Sequence, residues 1–344
     1  MRHVDIYGTI GPMCSDVETL AAMFDAGMTG IRLNLSHVTL KESENLISNL
    51  HKAAEMSGVK AQLLIDLQGP ELRIGRMNAP LDLREGDVLG FMEQGDPDAR
   101  KSQALRKIVT VPKEVLLALS AGREALLDDG KILARVLENT GHTAKATILR
   151  GGVLTGRKSI AIPGTKIDIP TMTQADIRNI EVAREYGVTA VMQPFVRNRE
   201  DLITVRKALR KAGNEGIALF AKIENMDGVR QIDELIAESD HIVIARGDLG
   251  NAVKLWELPG VQKYIAAKCR AAARDFMVVT QMLSSMETHP VPTRAEVSDI
   301  FNAVLDGASS VMVTGETAVG RYPVLTISYL ARTANEALKF HEAQ

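Results

Sequence analysis

Eight short apolar runs recur along the 344-residue chain: His3 to Thr9, Ile31 to Leu35, Gln62 to Asp66, Val188 to Met192, Ile217 to Ile223, His241 to Ala245, Phe276 to Thr280 and Ser310 to Thr314. Most are apolar at successive positions, so both faces must be covered, as in strands held between a barrel interior and an outer layer of helices. Amphipathic stretches separate the runs. After Thr293, the residues Val297, Ile300, Phe301 and Val304 form one helical stripe, and Leu202, Val205 and Leu209 form another. Ser15, Thr39, Thr173 and Thr293 each stand three residues before Glu18, Glu42, Asp176 and Glu296, the capping spacing that predicts four helix starts. Strand-helix alternation with short loops predicts parallel βα units. Eight of them close an α/β TIM (β/α)8 barrel.

One stretch breaks the rhythm. From Arg76 to Ile160, short β-like pieces (Lys107 to Val111, Ile132 to Leu137, Thr143 to Leu149) lie between turn clusters such as Asp128-Asp129-Gly130 and Asn139-Thr140-Gly141. This predicts a small β-rich domain inserted after the third barrel strand. The expected division is residues 1–73 with 161–344 as the barrel, and 74–160 as an inserted β-barrel that closes over the mouth as a lid.

Composition narrows the function. With 41 basic and 43 acidic side chains the formal charge is −2, without the basic face that phosphate backbones require, so nucleic acid is not an expected partner. Aromatic residues make up 4% of the chain, too few for stacking platforms, and Met282, Met286 and Met312 read as core filler. Cys14 and Cys269 belong to no zinc-binding spacing. Both read as buried thiols in a reducing compartment; Cys14, near a capped helix start, is also a candidate for a lowered pKa, although the sequence pairs it with no base. No signal peptide and no membrane-spanning apolar run is evident, so a cytoplasmic location and no membrane partner are expected.

In a barrel of this kind chemistry belongs at the carboxyl ends of the strands. Arg32, Asn34 and Ser36 alternate onto one face at the end of the second run; the third ends at Asp66, followed by Gly69-Pro70-Glu71-Leu72-Arg73. The fifth ends Lys222-Ile223-Glu224, the sixth Arg246-Gly247-Asp248, the seventh Thr280-Gln281 and the eighth Thr314-Gly315-Glu316. Any one of these alone reads as a solvated rim charge. Their convergence on one cavity reads as a site. Glu224 and Asp248 are hard oxygen donors suited to Mg²⁺ or Mn²⁺, with Lys222 and Arg73 as cations, a set that suits a phosphate or an enolate.

The segments TIGPMCSDVETL, RLNLSH, DLQGPELRIG, LDDGKI, GGVLTGRKSIAIPG, KIEN, ARGDLG, TQMLSSM, PTRAEVSDIFNAVLDGA and VTGETAVGRYP, in that order, resemble the pyruvate kinases from the first strand to the last helix. The resemblance implies a glycolytic phosphotransferase that passes the phosphoryl group of phosphoenolpyruvate to ADP, giving pyruvate and ATP. It implies Glu224 and Asp248 as Mg²⁺ ligands. Asn34, Ser36, Asp66 and the carbonyl of Leu67 would hold K⁺. Lys222 and Arg73 would act on the phosphoryl group, and the N–H groups of Gly247 and Asp248, with the Thr280 hydroxyl, would grip the substrate carboxylate. Arg32, His37 and Lys158 would face the nucleotide. Glu71 stands where K⁺-independent members have Lys, which implies K⁺ dependence.

The chain departs from the family pattern at Leu67 and Gln68 (usually Thr-Lys), at Asn251-Ala252-Val253-Lys254, at Pro194, at Ser284 and at Thr314. These bear on substrate identity and on barrel surfaces that could join copies into a homo-oligomer, more than on the metal site. Typical members continue into a C-terminal effector domain, so effector regulation of that kind is expected to be absent. Two other readings stand beside the kinase: an Mg²⁺-dependent lyase or aldolase acting on a 2-oxo acid, and a non-catalytic binding protein, which the charged site disfavours.

Overall fold

A computed structural model describes residues 3–343 except 37, 70–71, 96–106, 129, 164, 166 and 168. The chain divides into two compact units, Met1–Gly69 with Thr171–Gln344, and Pro70–Pro170.

The larger unit is a closed barrel of eight parallel strands: β1 (Asp5–Thr9), β2 (Gly30–Asn34), β3 (Gln62–Asp66), β4 (Ala190–Gln193), β5 (Ala218–Ile223), β6 (His241–Ala245), β7 (Asp275–Val279) and β8 (Ser310–Met312). Each strand pairs with its sequence neighbour, and β1 closes the ring on β8 with Asp5 opposite Ser310. Alternation sorts the side chains. Leu64, Met192, Val243, Met277 and Met312 fill the interior, while Ile65, Val191, Ile242, Ile244 and Val278 pack outward with the helices. Met282 and Met286 are also fully buried. The chain's few aromatics are therefore no handicap, because aliphatic and thioether side chains supply the core.

Thr173 and Thr293 start the helices Gln174–Val182 and Arg294–Leu305 with complete capping boxes. Thr39 and Glu42 exchange the same hydrogen bonds, but the chain makes a single tight turn, Lys41–Ser43, before the helix Glu44–Met56 begins. Ser15 does not cap. It closes the turn Pro12–Cys14 in the right-handed helical region, and the extended Asp16 next to it accepts from the Thr19 N–H at 2.8 Å. Cys14 is likewise not activated. Its thiol is buried, 3.4 Å from the Thr9 carbonyl, and burial pushes its pKa up to about 11.

The smaller unit leaves after β3 and returns before β4. Its described strands form a six-stranded sheet in the order Ile160–Ala161, Glu124–Leu127, Ile132–Asn139, Thr143–Arg150, Val88–Glu93 and Ile108–Val111, with a ribbon of Leu81–Leu83 and Gly152–Leu154. Phe91, Val109, Leu127, Val136 and Ile148 belong to a core of its own. No described helix is long and apolar enough to cross a membrane.

At the amino-terminal end of β6, His241 stacks on Phe220 with ring centroids 4.3 Å apart, and its Nε2 lies 2.9 Å from Ser310 Oγ. Burial lowers its pKa from 6.5 to about 4. The folded ring stays neutral where the unfolded chain binds a proton, so stability falls as pH drops from 6.5 towards 4, by up to about 3 kcal/mol. His241→Gln should flatten that slope in urea denaturation across the same pH window; an unchanged slope would remove His241 as its source.

Candidate active site at the barrel mouth

Side chains from three strands, β2, β3 and β5, converge on one carboxylate. Asp66, the last residue of β3 and fully buried, receives Arg32 from β2 on its Oδ2, from Nε at 2.9 Å and Nη2 at 2.6 Å. Lys222 from β5 reaches the same oxygen at 3.3 Å and Glu224 Oε1 at 2.8 Å. Burial alone would depress the Lys222 ammonium, but Asp66 and Glu224 outweigh it and hold its pKa above the ordinary lysine value. For Asp66, burial opposes ionisation, and the charges of Lys222 and then Arg32 overcome it and keep the carboxyl ionised. Asp66 Oδ1 is buried and accepts no hydrogen bond from the described residues. An ionised oxygen in that position is an acceptor for a cation.

Glu224, just past β5, is fixed from its other side by the Phe195 N–H, 2.7 Å from Oε2. Phe195 reaches it with a φ of 54°, a conformation that side chains avoid at a cost of about 1 kcal/mol or more. Pro194 before it is packed against Gly69, whose φ of 61° and lack of Cβ admit the ring; a Cβ there would collide with Pro194 Cγ. Asp176 braces the same turn. Its carboxylate accepts from the Gln68 N–H at 2.7 Å, the Gly69 N–H at 3.1 Å and the Thr173 N–H at 2.8 Å, which fixes the segment carrying the Leu67 carbonyl.

Past β6 and β7 a second cluster forms. The helix Arg246–Ala252 begins directly at the end of β6, so Gly247 and Asp248 lie in its first turn. Across from it Thr280 has a φ of 78° and Gln281 one of 56°. A Cβ built on Gly247 would stand 3.1 Å from Thr280 Cγ2 and 3.7 Å from its Oγ1, so a larger residue there would press on the Thr280 side chain. The Arg246 guanidinium bonds the Thr280 carbonyl and the Asp299 carboxylate.

Of the remaining expected residues, Asn34 stands opposite Asp66 in the β2–β3 ladder. It ends β2, and its Oδ1 accepts from the Ser36 N–H at 3.1 Å, which fixes the turn after that strand. Glu316 turns inward as a brace, accepting from the backbone N–H groups of Leu283 and Thr314. Arg73 and Lys158 belong to the smaller unit. There Arg73 pairs with Ser159 across an isolated bridge and donates to the Arg157 carbonyl at 2.8 Å, and Lys158 Nζ lies 2.7 Å from Asp128 Oδ1. His37 and Glu71 lie outside the described residues.

The sequence that builds this barrel matches known proteins. The family described as "Pyruvate kinase, barrel domain" matches residues 1–327. The chain belongs to the pyruvate kinase family. It is 38% identical over 339 residues to the pyruvate kinase of Aeropyrum pernix, covering 98% of this chain and 71% of that protein. It is 36% identical to the pyruvate kinase of Geobacillus stearothermophilus (99% of this chain, 58% of that protein) and 35% identical to pyruvate kinase 1 of Saccharomyces cerevisiae (97% and 67%). The chain thus spans between 58% and 71% of the length of these relatives.

Pyruvate kinases in general use Mg²⁺ and K⁺, and the donors here suit both. The orphaned Asp66 Oδ1, beside the turn braced by Asn34, fits a monovalent ion. Among the described residues no three His, Cys, Asp or Glu side chains gather as a metal cage. Glu224 and Asp248 are hard oxygen donors of the kind Mg²⁺ takes.

Sequence reading missed the supports of this candidate site: the Phe195 N–H, Asp176 and the Arg246–Asp299 pair. Asp176 carried a signal as a capping partner, but its bonds to Gln68 and Gly69 span more than a hundred residues and leave no local trace.

Asp66→Asn would leave two nearly buried cations side by side without their shared counter-charge. Urea denaturation at neutral pH should show a loss of about 3 kcal/mol. A loss below about 1 kcal/mol would place the triad with ordinary surface pairs.

Proposed function

We propose that this chain transfers the phosphoryl group of phosphoenolpyruvate to ADP, forming pyruvate and ATP. The observation that carries the reading is the Arg32–Asp66–Lys222–Glu224 array at the strand ends. An oxygen of the ADP β-phosphate forms a new bond to phosphorus as the bond from phosphorus to the C2 oxygen breaks. The electron pair stays on the departing enolate, and a proton added at C3 yields pyruvate.

Negative charge shifts during transfer onto the enolate oxygen, where a fixed cation is most effective. Lys222 meets that need. Its ammonium is locked in the charged state by Asp66 and Glu224, so no reorganisation is required when charge develops. Glu224 and Asp248 would hold Mg²⁺, which supplies charge neutralisation at the phosphoryl oxygens when bound. Asp66, Asn34, Ser36 and the Leu67 carbonyl would hold K⁺. The Thr280 hydroxyl and the N–H groups of Gly247 and Asp248 would orient the substrate carboxylate. Arg73 would steady the phosphoryl group, with Arg32, His37 and Lys158 assigned to the nucleotide. The inserted unit, residues 74–160 in the sequence reading, would serve as the lid, and a cytoplasmic location is the setting that suits these substrates.

A coupled assay for pyruvate, run with and without Mg²⁺ and K⁺, tests the reading directly. Turnover should require both ions, and Lys222→Met should lower kcat by at least about a hundredfold while Mg²⁺ still binds in calorimetry. Lys158→Ala should raise the KM for ADP and spare that for phosphoenolpyruvate. Background turnover in the unmutated protein, with pyruvate released from oxaloacetate instead, would move the assignment to a metal-dependent lyase.

A further inference from the structure

We propose that Arg246 is a positioning residue for the substrate carboxylate: its guanidinium holds Thr280 in its positive-φ conformation and so fixes the Thr280 side chain, hydroxyl and methyl together, against Gly247. The proposal rests on the carboxylate site assigned above and concerns residues that do not themselves touch substrate.

The ladder between β6 and β7 runs in register as far as Ala245 opposite Val279. The next pair would be Arg246 and Thr280, but there the ladder ends. Arg246 enters a helix and Thr280 turns to a φ of 78°. A β-branched residue in that region is a genuine outlier, and it persists only where its surroundings over-determine it. Here the over-determining group is the Arg246 side chain, which replaces the missing ladder bonds. Nε and Nη2 donate to the Thr280 carbonyl at 3.1 and 2.7 Å. Nη1 donates to both Asp299 oxygens, at 2.9 and 2.7 Å, and Nη2 also lies 3.0 Å from Met282 Sδ.

These contacts engage all three guanidinium nitrogens with groups of the protein itself. That separates Arg246 from Lys222, whose ammonium lies among the carboxylates of the mouth. The geometry also explains why the residue is arginine. A planar fork can grip a carbonyl along one edge while a carboxylate grips another, which a lysine ammonium cannot reproduce. The side chain is 10% exposed, and Asp299, on the helix Arg294–Leu305, anchors it from outside the strand layer. One group therefore sets the spacing between the two halves of the carboxylate site, the first turn after β6 and the first residue after β7.

Two variants test this, Arg246→Lys and the milder Asp299→Asn, which leaves Arg246 and every proposed substrate contact in place. Initial rates with phosphoenolpyruvate and ADP would be measured alongside calorimetric binding of oxalate in the presence of Mg²⁺, oxalate being a planar dianion shaped like the enolate of pyruvate. Arg246→Lys should raise the KM for phosphoenolpyruvate and weaken oxalate by about 10- to 100-fold, with a smaller fall in kcat and an unchanged KM for ADP. Asp299→Asn should move the same two quantities in the same direction by less. A purely structural ion pair would instead lower the melting temperature and the active fraction while leaving KM alone, and KM and oxalate affinity within about twofold of the parent in both folded variants would overturn the proposal. If the parent makes no pyruvate but binds oxalate, and the variants lose it, the phosphotransfer reading fails and the role of Arg246 stands. If the parent turns over and the variants match it, the reverse holds. A parent that neither turns over nor binds oxalate defeats both.

Discussion

Asp66 puts one negative charge between Arg32 and Lys222, and without it the carboxyl ends of β2 and β5 would present two like charges to each other across the barrel mouth. Burying any of the three alone would be prohibitive; together they are tolerable because each ion solvates the next. The order of the barrel makes this arrangement available. Arg32 and Asp66 come from adjacent strands, and Lys222 from the strand beyond β4, so the charged row follows the curve of the mouth rather than one strand. Lys222 extends the row to Glu224, so two cationic and two acidic side chains alternate along it without excess charge of either sign.

Around this row the backbone is bent into conformations that ordinary residues avoid. Phe195 and Thr280 both take positive φ values immediately beyond barrel strands, and each is held by a long-range partner, Glu224 in one case and Arg246 in the other. The strain lies beside the candidate site, the pattern expected where geometry is maintained against local preference. Asp176 plays the corresponding part at the point where the chain leaves the barrel unit, satisfying three backbone donors with one carboxylate.

Much of this was legible in the sequence. The runs Gln62–Asp66 and His241–Ala245 became strands with the expected bounds, because an apolar run flanked by polar residues leaves little choice of register. The fourth strand starts later than its apolar run. Val188 is buried, but its N–H turns back to the Ala183 carbonyl, so hydrophobicity there reports burial and not pairing. Ser15 and Asp16 are both competent caps, and only the turn before them decides which is extended. Lys222, Glu224 and Asp66 could be nominated because a charge ending an apolar strand is conspicuous. Arg246 lay in view within the same motif, yet its role depends on a carbonyl and a carboxylate contributed 34 and 53 residues later, and no local pattern encodes that.

The two buried thiols lend the molecule a property of another kind. Cys14 lies just past the first barrel strand and Cys269 on the helix Leu258–Ala271, both fully enclosed, with burial raising their pKa values to about 11 and about 12. A sulfur that is both covered and protonated reacts with alkylating reagents only when its surroundings open, and on opening it regains ordinary acidity. The chain therefore carries two native reporters of barrel breathing, set in different βα units. The ratio of their labelling rates distinguishes a barrel that opens all at once from one that unzips from one side.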